Sequence, residues 1–418
     1  MKLVKLSLAA AVAAGALAMS ASAVPLEEAI KDVDLNGYAR MRYTHDRNKD
    51  AGDSSKGVWE FKSEVDFKAK IDDNFFGVVG IRFMDRDGGE SHSSSNSQYH
   101  GNQNKYEING KRVEQDSDFD IAKAYLGYTI GGTVIAVGRQ GIGSFFTDDM
   151  YGDGVKITST DIEGLTLTGF WMDSLENDSD IGSLDWGSTG EMKKLTTDHN
   201  LYGVGVAGSY DPVAFQLWYN SLEDVADLFA AELAFNFDIS DDFSLGIKGQ
   251  YAFSDLDRAT YTYISPRTGL PVNTETSDAD FWAAEASMGL FGIDLAAGYL
   301  RFEPDNKDRT SFVSFEDQGS FISPGEQLLD YTNFTGKNHY WYAVAGYTIP
   351  DTGIRIGADY LDGKSDGQDA YEVVGRISYK YNQKLSFKTW YSHYKIDGAA
   401  GAADQKNDRI RFEAKYSF

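Results

Sequence analysis

The most regular stretch of the chain is VWEFKSEVDFKAKI, Val58 to Ile71. Trp59, Phe61, Val65, Phe67, Ala69 and Ile71 fall on one parity, and Glu60, Lys62, Glu64, Asp66, Lys68 and Lys70 on the other. A helix would spread those charges around its circumference, whereas a strand sorts them onto one face. The same period of two returns in the final RIRFEAKYSF. There Ile410, Phe412, Ala414, Tyr416 and Phe418 alternate with Arg409, Arg411, Glu413, Lys415 and Ser417. Similar segments begin near Leu35, Phe75, Phe119, Thr133, Val155, Leu165, Asn200, Val213, Leu228 and Phe243, and again near Asp280, Ile293, His339, Gly353, Ala370 and Leu385. With those at Val58 and Asp408, about eighteen strands are expected, each near the ~9–11 residues that carry a tilted strand across a bilayer. A count alone does not exclude sixteen.

The connections alternate between two kinds. Very short ones include Asp72-Asp73-Asn74, Gly131-Gly132, Asp211-Pro212, Phe291-Gly292 and Asn382-Gln383-Lys384. Long hydrophilic ones span 85–118, 173–197, 254–279 and 303–338. Short periplasmic turns at one rim and long extracellular loops at the other are the pattern of an all-β transmembrane antiparallel barrel. A soluble sandwich would turn its apolar faces inward, but an open array of this length leaves unpaired edges. Closure within lipid removes the edges and pairs every backbone group. The apolar faces then meet lipid and the charged faces line water.

Composition agrees and narrows the location. The chain has 7 Trp, 25 Tyr and 25 Phe, only 7 Pro, and a mean hydropathy of −0.40 despite its expected membrane setting. A net charge of −25 argues against nucleic-acid partners, whose phosphates need a basic surface. Absent cysteine excludes disulfides and thiolate metal sites. The start, MKLVKLSLAAAVAAGALAMSASA, carries Lys2 and Lys5, an apolar run and a small-residue site at Ala21-Ser22-Ala23. It is expected to be a signal peptide, 1–23, cleaved on export. Residues 24–34 would form a periplasmic N-terminal segment and 35–418 the barrel.

From Met1 to Tyr43, and most specifically at Pro25-Leu26-Glu27-Glu28-Ala29-Ile30-Lys31-Asp32-Val33-Asp34, the sequence resembles the Campylobacter-type major outer membrane porin family. The resemblance implies an eighteen-stranded, homotrimeric porin in the bacterial outer membrane, surrounded by lipid and lipopolysaccharide. It would pass ions and small hydrophilic solutes without catalysis. The terminal Phe418, with Tyr416 beside it, fits the general porin pattern in which the barrel-assembly machinery reads a last aromatic residue. In general porins the third long loop folds inward and narrows the pore. Here Gly138-Arg139-Gln140 resembles the end of the strand that leads into it, so the resemblance makes 141–154 the constriction loop. From the residues alone, an ordinary acidic surface loop reads equally well.

Candidate chemistry follows from parity. Arg40, Arg42, Lys62, Lys68, Arg82, Arg409 and Arg411 share the water-facing parity, with Arg139 at the loop's approach. Since the last strand of a closed barrel pairs with the first, these bases should form one wall. Asp148, Asp149 and Asp153 would face them from the loop, creating a transverse field. The acidic total predicts cation preference. The resemblance also implies calcium at the eyelet, for which Asp120, Asp153 and Glu285 are candidate ligands, although parity sets Asp120 on the side of lipid-facing Ala122 and Ala124. The alternative is simply hydrated lumen acids. No HExxH or Walker pattern supports the rival of a barrel-borne enzyme, and DGKSDG, Asp362 to Gly367, reads as a weak acidic turn. A surface adhesin acting through the long loops is the other rival.

Overall fold

The computed structural model describes residues 33–49, 54–88, 104–108, 111–176, 199–264, 271–399 and 401–418. The expected signal peptide and nearly all of the 24–34 segment lie outside them. The first strands are β1 (Val33–Asn48), β2 (Ser54–Lys70), β3 (Phe75–Gly88), β4 (Asn104–Ile108), β5 (Lys111–Ile130), β6 (Thr133–Gly141) and β7 (Tyr151–Ser159). Then follow β8 (Leu165–Leu175), β9 (Leu201–Tyr210), β10 (Val213–Leu222), β11 (Ala226–Ser240), β12 (Phe243–Leu256), β13 (Thr260–Ile264) and β14 (Pro271–Glu275). The last are β15 (Ala279–Leu290), β16 (Ile293–Pro304), β17 (Asn338–Thr348), β18 (Ile354–Ser365), β19 (Gln368–Lys380), β20 (Leu385–Ile396) and β21 (Gln405–Ser417).

Eighteen of these close into one antiparallel barrel, each strand pairing with the next. The exceptions sit in connections, β4 against the extension of β5 and β13 against β14. Every one of the eighteen expected segments is a barrel strand. Closure runs from Tyr38↔Ser417 to Asn48↔Asn407 along β1 and β21. Beyond that ladder, Gly37 and Phe418 exchange backbone hydrogen bonds of 3.1 and 3.0 Å.

Turns at one rim are at most five residues long, as at 131–132, 211–212 and 291–292. Most opposite connections are longer, but 49–53, 223–225 and 366–367 are just as short. Alternation points Leu35, Met41, Ile247 and Phe412 outward, all exposed. Two aromatic girdles follow the rims. Trp59, Trp171, Trp282 and Trp341 mark the loop side, and Phe75, Tyr210, Phe291, Tyr347 and Tyr381 the turn side. Rings of this kind settle at the boundary between hydrocarbon and headgroups.

One bulge alters the parity reading. Between β3 and β5 the register slips at Gly80/Ile81, leaving Ala122 as the extra residue and fully buried. Above it Asp120 pairs with Arg82, whose own partner across β2 is Glu64. Asp120 therefore belongs to the lumen face, contrary to strict alternation from Ala122 and Ala124. A single inserted residue reverses the facing of everything beyond it.

Candidate functional site

The barrel interior is not uniformly wet. Along β8–β17 it is lined by apolar side chains, among them Phe170, Met172, Leu222, Phe281, Phe302 and Tyr340. Two loops fold in and cover that sector. The first is shorter than expected, because β6 runs to Gly141 and β7 begins at Tyr151. Its residues 142–150 include Ile142, Phe145, Phe146 and Met150, each at most 2% exposed. Lys156 on β7 anchors its start, donating from Nζ to the carbonyls of Gly141 and Ile142 at 3.2 and 2.7 Å. Asn220 on β10 reaches Ser144 Oγ at 2.9 Å.

The second inward loop is 305–337, although its polar ends predict a hydrophilic rim connection. Within it Phe312, Phe315, Phe321, Leu328, Leu329, Tyr331 and Phe334 are buried. Its neck is closed by paired backbone hydrogen bonds of 2.9 Å between Ser311 and Phe334. The two loops are joined at both backbone and side chain. Phe315 and Ser320 donate backbone hydrogen bonds to the carbonyls of Phe146 and Phe145, at 3.0 and 2.7 Å. The Phe145 and Phe321 rings meet edge-on at 4.8 Å. Such contacts bury rings that would otherwise stand in the lumen water.

From that junction the second loop crosses the lumen like a strap. Its tip is held by Glu372 of β19, which is fully buried. This carboxylate accepts the amides of Glu326, Gln327 and Leu328 at 3.0, 3.3 and 3.1 Å, and the Ser392 hydroxyl at 2.5 Å. Four donors satisfy a buried carboxylate that has no ion-pair partner among the described residues. Arg376 adds ion pairs to Asp359 and Glu326 and a hydrogen bond to the Gly325 carbonyl. Gln327 bridges Ser392 on β20 and Asn407 on β21 at 2.7 Å each.

The remaining sector carries the expected basic wall, but that wall is largely neutralised by carboxylates on its own strands. Arg40 pairs with Glu60 at 2.6 Å and Arg42 with Glu413 at 2.9 Å. Lys123 pairs with Glu64 and Asp66, and Arg409 with Asp46. Lys68 faces the same way near the turn rim, its ammonium 4.3 Å over the Phe76 ring. Arg411 donates to Thr44 and lies 5.0 Å over Trp390, with no carboxylate at ion-pair distance among the described residues. Among the described residues the acidic loop meets the basic wall where Asp149 pairs with Lys62, at 2.9 Å.

The three candidate calcium ligands are not brought together. Asp153 lies on β7 rather than in the loop, paired with Arg139 at 3.2 Å. Asp120 shares Arg139, at 3.7 Å, with Arg82 beyond it at 3.3 Å. Glu285 on β15 accepts the Tyr342 hydroxyl at 3.0 Å. Calcium needs six or more oxygen donors around one point, whereas two of these carboxylates already neutralise arginines. The set does not fit a calcium ion, and among the described residues no group of three His, Asp or Glu does.

Sequence reasoning missed Glu316, in the strap. It accepts the amides of Asp148 and Met150 at 2.9 and 2.8 Å and meets the Asp149 carboxyl. Burial, then the Asp149 charge, push Glu316 up to about 9. Burial opposes ionisation of Asp149 as well, but Lys62 outweighs it and holds Asp149 below the ordinary carboxylate range. At neutral pH a protonated Glu316 thus donates to an ionised Asp149. The folded value of Glu316 lies above its ordinary 4.5, so its contribution to the loop junction is complete below that pH. It is lost as pH rises through about 9. Single-channel recordings should show open-state noise growing between neutral pH and about pH 10, while Glu316→Gln flattens the dependence. Equal noise in wild type across that range would contradict this junction.

A model of the Campylobacter major outer membrane protein family matches residues 1–418. No curated protein matches significantly. Among solved structures, Acinetobacter baumannii OccAB3 is 13% identical with a TM-score of 0.65, covering 92% of this chain and 99% of its own. Pseudomonas aeruginosa OccK9 (OpdG) is 16% identical with a TM-score of 0.66, covering 93% and 100%. Pseudomonas aeruginosa OpdK, solved with vanillate, is 12% identical with a TM-score of 0.63, covering 92% and 98%. At these identities the likeness is one of fold.

Proposed function

The chain belongs to the Campylobacter major outer membrane protein family, and from that premise we propose that its pore prefers cations and works as a homotrimer. It is a general diffusion porin, a multi-pass β-barrel of the outer membrane that passes ions and small hydrophilic solutes. The observation that carries the cation preference is the self-neutralised wall. Once Arg40, Arg42, Lys123 and Arg409 are paired with carboxylates on other strands of the same wall, they no longer offset the loop acids. Asp148 and Asp149 stand exposed at the edge of the first inward loop, Asp149 with Lys62 as its ion-pair partner and Asp148 beside it. With a net charge of −25 behind them, they raise the local cation concentration.

Reversal potentials across a KCl gradient test this reading. The expected sign is that of a cation-preferring pore, reduced when Asp148 and Asp149 are both replaced by Asn. Anion preference in wild type would contradict it. Contact with lipopolysaccharide, recognition of Phe418 by the assembly machinery and the absence of catalysis belong to the same reading. Native mass spectrometry of the detergent-solubilised protein checks the trimer.

A further inference from the structure

Beneath the tip of the strap the lumen wall is recessed. A cavity of about 370 Å³ opens there between Ile322-Ser323-Pro324 and strands β12, β15, β16, β17, β18 and β19. That is at the small end of ligand-sized pockets. Its depth comes from missing side chains. Tyr342 crosses Gly298 to reach Glu285, and a Cβ at Gly298 would stand 2.4 Å from its hydroxyl. Arg355 lies across Gly346 to reach Asp294 at 3.3 Å, and a Cβ at Gly346 would collide with its guanidinium. Both long side chains therefore lie flat against the wall.

The recess combines both charges with an apolar patch. Arg376 and Asp359 are engaged with each other and with the strap. Lys248 and Arg355 are held more loosely. Lys248 is 3.9 Å from Glu232, and Arg355 is bound to Asp294, a carboxylate whose side chain is 59% exposed. Glu285 is the register partner of Lys248 and accepts from Tyr342 through Oε2, leaving Oε1 without a protein donor among the described residues. Ile322, Pro324 and Val344 supply an apolar face.

We infer that this recess is a solute subsite on the permeation path for small zwitterions with an apolar side chain, of amino-acid size. The solute carboxylate meets Arg355 and Lys248, its ammonium meets Glu285, and its side chain rests under Ile322 and Pro324. A bidentate guanidinium contact and a charge-assisted carboxylate contact give such a solute two anchors where a monovalent ion has one. The inference rests on the porin reading, which supplies the open path.

The test is current block in planar bilayers by leucine, set against isocaproate, which lacks the ammonium, and isoamylamine, which lacks the carboxylate. In wild type, leucine should interrupt the current at about tenfold lower concentration than either analogue, the weight of one charge-assisted contact. Glu285→Gln should erase its advantage over isocaproate. Gly346→Val, which displaces only the end of Arg355, should erase its advantage over isoamylamine. Each block is read relative to that protein's own KCl conductance. Channels that conduct KCl but respond to leucine no better than to the analogues would overturn the subsite alone. The same holds if Glu285→Gln leaves the preference intact. Failure of wild type to form KCl channels would overturn the porin reading beneath it.

Discussion

Replacing residues 312–333 with a two-glycine turn should raise single-channel conductance about two- to threefold, because a barrel of this strand number holds an aqueous lumen wider than its present passage. The graft is geometrically open, since Ser311 and Phe334 already form a backbone pair at the neck of the strap. The barrel should still close, because every ladder from β1 round to β21 is complete without those residues. It should close less stably. Phe312, Phe315, Phe321 and Tyr331 are buried against the first loop and the wall, and each such ring contributes about 2 kcal/mol through burial. A folded variant with wild-type conductance would mean that the strap does not narrow the path.

Deleting Phe418 should act on the opposite property. Its amide donates to the Gly37 carbonyl at 3.0 Å and its own carbonyl accepts from Gly37 at 3.1 Å, the final rung of closure between β21 and β1. Its ring lies 5.9 Å from that of Tyr416 at the turn-side rim. Without the residue, the barrel loses that rung and the apolar end of its closing strand. Outer-membrane yield should fall several-fold, while the pores that do assemble keep wild-type conductance. Normal yield of the folded barrel would contradict the role given to Phe418.

The wall of this protein was legible in its sequence, and the contents of the wall were only partly so. Strict alternation around Lys62 or Arg411 is set by lipid on one side and water on the other, and leaves a period that needs no tertiary knowledge. Asp120 was misplaced because a bulge at Ala122 adds one residue to a strand without changing its composition. The strap escaped notice for a different reason. Loop 303–338 begins and ends in polar residues, yet TSFVSFEDQGSFISPGEQLLDYTNF within it carries seven aromatic or leucine residues that no solvated rim loop requires. That density was the available signal. Lys62 and Asp149 were both named from sequence and do meet. Asp153 and Glu285 were also named, but Arg139 on the adjacent strand claims the first and Tyr342, reaching across β16, the second. Such pairings depend on register, which a single strand does not reveal.

Two joined loops close the apolar sector and leave a water path along the charged one. Because the chain has no cysteine, single cysteines report on that path without background. Lys388 and Asp149 have half-exposed side chains in the charged sector, whereas Ala230 and Ala283 are covered beneath the loops. The decisive measurement is current through open channels during exposure to a charged methanethiosulfonate reagent. Lys388→Cys and Asp149→Cys should react and change the current, and Ala230→Cys and Ala283→Cys should stay silent. Rapid block at the covered pair, with none at the exposed pair, would contradict the account.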